Sequence, residues 1–231
     1  MTTSVEVITL PYQDRAEGGR VLGSQLGEYS DRPDVIVLAL ARGGVPVGFE
    51  VARALNAPLD VFVVRKLGVP GHEELAMGAI ASSPQDGGVL VLNQDAVRGL
   101  GIPDEVIEAV VRRERRELER RERLYRGDRP ALEARGQTVI LVDDGLATGS
   151  TMLAAVRALR QQGPARLVVG VPVASPDTCA EFQGEVDEIV CAATPRPFYA
   201  VGVWYENFSQ TSDDEVRHLL ARTAHEDSVD A

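Results

Sequence analysis

Two adjacent acids, Asp143 and Asp144, stand at the end of a wholly apolar run, VILV, and are followed by a small-residue loop and then by helix-forming residues. Acids at the carboxyl end of a buried strand accept hydrogen bonds from a cis-diol such as that of a ribose, and help hold a hydrated divalent cation beside it. At a helix N-terminus the unpaired N–H groups and the positive end of the helix dipole favour an anion. Ala147, Thr148, Gly149, Ser150 and Thr151 are small enough to let a phosphate reach that backbone. The stretch therefore reads as a sugar-phosphate site, with the diol at one end and the phosphate at the other. The plainer use, acids that merely end a strand before a capped helix, leaves two carboxylates beside apolar neighbours without a compensating partner. Common nucleotide loops are missing: there is no GK[ST] of the Walker type, and no strand-like run is followed by GxGxxG.

Two further segments carry groups suited to anions. The apolar run 35–40 leads into ALARGGVPVG, placing Arg42, Gly43 and Gly44 at the carboxyl edge of a sheet, where open α/β folds bind ligands. A simple helix-initiating turn is the other use of that sequence. The run 61–64 leads into RKLGVPGHEELAMGAI, a glycine-interrupted segment that reads as a loop. Arg65 and Lys66 at its root are expected to face the same edge, where their charge would neutralise an anionic leaving group. Glycines 68, 71 and 78 would let the loop close and exclude water. Glu73, Glu74 or His72 would then supply a general base. His72 and Glu73 do not make a zinc motif, because no second histidine has the required spacing.

The elements that must position these groups follow from hydrophobic patterning. Runs at 35–40, 61–64, 89–92, 139–142 and 167–173 are short, β-branched and apolar on both faces, as in a parallel sheet covered on both sides. Helical segments at 46–55 and 150–161 lie between them, which is βαβ alternation. The fold class expected is α/β: one domain over residues 1–231, a Rossmann-like open parallel sheet of five or six strands with helices on both faces, and a small hood. Segment 82–88, SSPQDGG, reads as an exposed turn, and the tail from His225 as frayed.

Residues 103–126 form a long helical candidate with four Glu–Arg pairs at i,i+4: Glu108 with Arg112, Glu117 with Arg121, Glu119 with Arg123, and Glu122 with Arg126. A solvated or subunit-bridging helix is one use. Eight arginines against four glutamates in 112–126 leave a local charge of +4, and an anion-binding or RNA-binding face is the other. The net charge of the chain, −11, opposes non-specific binding to nucleic acid or anionic lipid. No long apolar span and no basic-then-apolar leader is visible, so a cytoplasmic location is expected. Cys179 and Cys191 are too few for a disulfide framework and lack zinc-site company, and both are expected to be buried small apolar residues.

VILVDDGLATGST resembles the thirteen-residue signature that binds 5-phosphoribosyl 1-pyrophosphate (PRPP) in type I phosphoribosyltransferases. The resemblance implies that Asp143 and Asp144 serve the ribose hydroxyls and hold Mg²⁺ indirectly, through water, while residues 147–151 wrap the 5′-phosphate. The turn at Arg42, Gly43 and Gly44 is similar to the family's pyrophosphate loop, in which a cis peptide sometimes occurs; Arg42–Gly43 is the expected bond. RKLG is similar to the RKPG of the adenine branch, and Ala147 matches that branch where 6-oxopurine enzymes carry aspartate. PRPFYAVGVWYENF looks instead like the 6-oxopurine region in which an aromatic stacks on the base; Tyr199 and Trp204 are the candidates, with hydrophobic core or a dimer contact as the other use. The two clues disagree about the base.

The family's hood is variable, and residues 1–30 and 195–225 are candidates for it, with 103–126 an insertion. The stretches RKLGVPGHEELAMGAI and WYENFSQTSDDEV are shared with a bacterial group of the same family that has no known acceptor. What this implies is a Mg²⁺-dependent transfer of ribose 5-phosphate from PRPP to a nitrogenous, purine-like base with release of pyrophosphate, in nucleotide metabolism, by a homo-oligomer without membrane or nucleic-acid partners. A non-catalytic PRPP or nucleotide sensor of the same fold, and a sugar-phosphate hydrolase, are the alternatives.

Overall fold

The structure, a computed structural model, describes residues 9–83, 88–127 and 129–226, without the side chains of residues 73, 74 and 224–226. In chain order the elements are α1 (Arg15–Gln25), β1 (Val35–Leu40), α2 (Gly44–Leu55), β2 (Leu59–Phe62), β3 (Val64–Val69), β4 (His72–Ala81), β5 (Val89–Leu92), α3 (Gln94–Gly99), α4 (Asp104–Arg126), β6 (Thr138–Val142), α5 (Ser150–Gln162), β7 (Arg166–Val173), α6 (Pro176–Phe182), β8 (Glu188–Ala193) and α7 (Asp213–Glu226).

Five strands form a parallel sheet in the order β2-β1-β6-β7-β8. Every residue of β1 and β6 is buried, which is why their sequences carry no polar alternation. Side chains still alternate between faces. Val35, Val37 and Ala39 join the core made with Leu22 of α1, Leu26 just after it, Val47 and Val51 of α2, and Val216 of α7. Ile36, Leu38 and Leu40 join the opposite core with Met152, Val156 and Leu159 of α5. Full burial of each Val, Leu, Ile or Met side chain among these contributes roughly 1.5–3 kcal/mol. The strand order reverses between β1 and β6, the place where open α/β sheets hold ligands in the crevice beyond the carboxyl ends of their strands.

Several expectations need correction. The run 89–92 is not a parallel strand: β5 pairs antiparallel with β4, which pairs antiparallel with β3, in a separate three-stranded sheet. Residues 65–80 are therefore a hairpin and not a loop. Pro70 and Gly71 turn it, with Gly71 at φ +81° and Val69 opposite His72, so the glycines mark a turn and the register shifts at Gly68. The sheet has five parallel strands because β8 was hidden in EIVCAA and β5 left it. Cys179 and Cys191 are joined in a disulfide with Cα atoms 6.7 Å apart. Counting cysteines missed this, since the β7-α6-β8 crossover brings the two together. Ser82 is buried, its Oγ accepting from Val63 N at 2.9 Å, whereas the middle of the expected turn 82–88, and the tail beyond Glu226, lie outside the described residues.

Helix α4 makes all four i,i+4 ion pairs, at 3.3, 2.8, 3.7 and 3.2 Å in chain order. It is nevertheless amphipathic: Ile107, Val110, Val111, Leu118 and Tyr125 are buried, and Arg126 reaches inward to Asp60 at 2.8 Å and to Val61 O. Among the described residues no helix is long and apolar enough to cross a membrane.

Candidate sugar-phosphate site

The crevice between β1 and β6 is lined by the turn 41–44 on one side and the loop 143–149 on the other. The two touch closely. A Cβ added to Gly43 would meet the Asp144 carboxylate, 2.9 Å from its Cγ, and one added to Gly44 would lie 2.8 Å from Val142 O and 3.0 Å from Asp143 Cα. Only glycine allows the turn to lie on the acids. The cis peptide in this turn is Ala41–Arg42, one bond earlier than the sequence suggested.

The loop after the acids is held from below. Leu146 is buried and its N–H donates to Val173 O at 2.9 Å; Thr178 Oγ1 donates to Ala147 O at 2.6 Å. Gly149 caps α5 at φ +69°, with a would-be Cβ 2.6 Å from the Phe182 ring, so this position is closed to any side chain. Ala147, Thr148, Ser150 and Thr151 are exposed around the first turn of α5, whose leading N–H groups have no intrahelical acceptor. The Lys66 ammonium donates to Ser150 Oγ at 2.8 Å, placing a cation at the mouth of that turn.

Arg65 goes elsewhere. Consecutive residues of a strand point to opposite faces, so Arg65 turns to α4, where Nε and Nη2 bind Glu114 Oε2 at 2.9 and 2.7 Å. Burial pushes the Glu114 carboxyl up, but Arg65 and Arg113 outweigh it and hold the group below its usual range. The expectation that Arg65 and Lys66 share an edge is thus corrected: Lys66 alone stands at the loop. His72 is exposed at the tip of the hairpin, and the side chains of Glu73 and Glu74 lie outside the described residues.

Asp143 and Asp144 are both shifted toward the protonated form. Burial is the larger cause for each; for Asp143 the neighbouring charge of Asp144 adds to it. Arg15 limits the shift at Asp144. Its Nε binds Asp144 Oδ2 at 2.8 Å, its Nη1 donates to Ser209 O at 2.7 Å, and its guanidinium lies 3.9 Å over the Phe208 ring. Tyr205, stacked on Phe208 at 5.2 Å, donates its hydroxyl to Asp144 O. Burial pushes that phenol far up, and the charge of Asp144 adds. Sequence reading missed Arg15 and Tyr205. The signal was present in the demand of two buried acids for a counter-charge, but nothing local pointed to an arginine 129 residues away.

The aromatic candidates part company. Trp204 packs against Phe198 with ring centroids 6.3 Å apart, and its carbonyl accepts from Tyr12 N at 2.9 Å, so it ties the chain start to this segment. Tyr199 is 82% exposed. Besides Tyr205, this segment meets the acid loop through Val201, whose Cγ2 would lie 2.8 Å from a Cβ on Gly145. Arg42 pairs with Asp213 at 3.5 Å, and Asp213 also accepts from Tyr125 at 2.8 Å.

A sequence profile of the phosphoribosyl transferase domain matches residues 16–192. The chain belongs to the phosphoribosyl transferase family. Relatives in two strains of Mycobacterium tuberculosis, provisionally named phosphoribosyl transferases, are 48% identical to it over 220 residues, covering 95% of this chain and 48% of each relative. The chain thus spans about half the length of the curated relatives it matches. Among solved structures, TT1426 from Thermus thermophilus has a TM-score of 0.78 at 40% identity, covering 91% of this chain and 98% of that one. The stretch that resembles the family's PRPP signature runs over β6, its loop and the start of α5. Among its described residues there is no group of three His, Cys, Asp or Glu able to cage a metal. Two half-buried carboxylates with one guanidinium beside them suit instead a hydrated divalent cation that completes its shell with water and substrate oxygens, which is the habit of Mg²⁺.

Proposed function

We propose that the phosphoribosyl transferase domain moves the 5-phosphoribosyl group of PRPP to a ring nitrogen of a small base and releases pyrophosphate. The observation that carries this reading is the packing of Gly43 and Gly44 directly on Asp143 and Asp144 at the strand reversal. That contact brings the glycine turn, the acid pair and the start of α5 to one sheet edge, which supports reading them as the pyrophosphate, ribose and 5′-phosphate subsites. The acceptor nitrogen forms a bond to C1′, the bond from C1′ to the pyrophosphate oxygen breaks with its electron pair, and the acceptor's N–H proton leaves to a base. Asp143 and Asp144 receive the 2′- and 3′-hydroxyls. The first turn of α5 receives the 5′-phosphate, and Lys66 supplies positive charge beside it. Arg42, released from Asp213, faces the pyrophosphate. Bound Mg²⁺ would neutralise charge on the leaving group. His72, Glu73 and Glu74, at the hairpin tip, are the groups available to take the proton.

The acceptor is proposed to be flat and purine-like. Tyr199 is the aromatic with a free face, since the Trp204 ring is committed to Phe198. One observation favours a sensing role: both Asp144 and Arg65 are engaged by other side chains, Arg15 and Glu114. The test is a panel of purines, pyrimidines and amines with PRPP and Mg²⁺, read by pyrophosphate release and by the ribosylated product. Release that depends on an acceptor and disappears in Asp143→Asn/Asp144→Asn supports transfer. PRPP binding without turnover on any acceptor supports sensing, and acceptor-independent release supports hydrolysis.

A further inference from the structure

Between the C-terminal half of α4 and the helix α7 lies an open cleft of about 760 Å³, walled by Arg123, Arg126, Arg129, Arg217 and His218, with Asp214 as the acid among its lining residues. Its volume falls in the range of small-molecule sites. The wall is only partly neutralised. Arg126 is spent on Asp60 and Glu122, at 2.8 and 3.2 Å, and forms a buried base for the cleft. Arg217 shares Asp214 at 3.4 Å, and Arg123 reaches Glu119 only at 3.7 Å. Arg129 is held in place by two carbonyls, Leu220 O at 2.6 Å and Arg126 O at 3.3 Å, and no carboxylate among the described residues pairs with it.

Guanidinium groups present planar pairs of donors that match phosphate oxygens, and several of them spread along two helices call for successive phosphates and not a single one. A long nucleic acid would meet the rest of a chain whose net charge is −11, whereas a short polyphosphate would meet the cleft alone. We propose that this cleft binds a chain of phosphates, either inorganic or the tail of a nucleotide, at a place separate from the crevice between β1 and β6. The two places are joined by one carboxylate. Tyr125 lines the cleft and donates to Asp213, which also holds Arg42 of the proposed pyrophosphate turn.

Calorimetric titration with tripolyphosphate, ATP and adenosine tests the assignment on four proteins: wild type, Arg123→Ala/Arg217→Ala, Arg129→Ala and Thr148→Glu. The first variant alters side chains that are 79% and 57% exposed, so it keeps its fold, which a melting curve checks. Thr148→Glu sets a carboxylate in the exposed loop before α5 and repels phosphates there. Tripolyphosphate and ATP should bind wild type and Thr148→Glu alike, adenosine should bind neither, and Arg123→Ala/Arg217→Ala should lose about tenfold in affinity for both phosphate ligands, as should Arg129→Ala. Loss of binding in Thr148→Glu would place the phosphates at the crevice and overturn the proposal. So would undiminished binding in Arg123→Ala/Arg217→Ala, adenosine binding as tightly as ATP, or no binding of tripolyphosphate to wild type.

Discussion

Replacing Arg15 by alanine removes the guanidinium that faces Asp144 and leaves a mostly buried carboxylate without its counter-charge. The pair is 2.8 Å apart, with side chains only 10% and 16% exposed, so solvent screens it little. Breaking a buried pair from one side costs roughly 3–5 kcal/mol. Asp144 can relieve part of that by protonation, so we expect about 3 kcal/mol, toward the lower end of the range. For a protein of this size that is a fall in Tm of roughly 6–12 °C. The pH dependence has a definite sign. Burial raises the Asp144 carboxyl in the folded protein despite Arg15, and a carboxyl raised on folding stabilises as the acid and loses that contribution as pH rises through its folded value. Without Arg15 the carboxyl rises further, so the gap between wild type and variant is largest above that pH and shrinks in acid. Thermal unfolding at neutral and acidic pH, with Arg217→Ala as a surface control, measures this. A fall no larger than the control's, or an Arg15→Ala cost undiminished in an Asp144→Asn background, would refute the reasoning.

Other substitutions separate the roles of neighbouring groups. Gly43→Ala drives a Cβ to 2.9 Å from Asp144 Cγ and should cost about 1–3 kcal/mol in stability along with PRPP affinity; unchanged affinity by calorimetry contradicts the contact between turn and acids. Asp143→Asn removes a charge that burial and Asp144 disfavour, so Tm at about pH 7 to 8 should rise, by on the order of 1 kcal/mol in stability. The gain should vanish at acid pH, where Asp143 is protonated in wild type, and a lowered Tm at both pH values contradicts it. Arg65→Ala should lower Tm by leaving the buried Glu114 with Arg113 alone while sparing PRPP affinity, and Lys66→Ala should weaken PRPP affinity while sparing Tm; matched effects of the two would place both side chains on one face.

Much of the site was legible because it is local. Residues 138–162 form strand, acid loop and helix from one uninterrupted stretch, and close-range constraints such as Gly149 at positive φ leave a mark in residue type. The parallel strands β1, β6 and β7 could be seen because both of their faces are buried. Legibility failed where partners are distant or periodicity is broken. The hairpin β3–β4 hides behind two register shifts and its glycines, although Pro70–Gly71 is a turn signature. Strand β5 is half-buried and short, and nothing in VLVL distinguishes the edge of a small antiparallel sheet from a central parallel strand. Arg65 and Lys66 look equivalent in sequence, and the period of two in a strand sends them to different elements. Arg15, Tyr205 and the disulfide each depend on a contact that only the assembled topology creates.

The central claim is that the crevice between β1 and β6 holds PRPP through the acids of β6. Calorimetric titration of PRPP into the wild-type protein and into Asp143→Asn/Asp144→Asn, each with and without Mg²⁺, tests it most directly. Binding by wild type that strengthens with Mg²⁺ and is lost in the variant is the expected result. Equal binding by both proteins, or no binding by wild type, would contradict the proposed site.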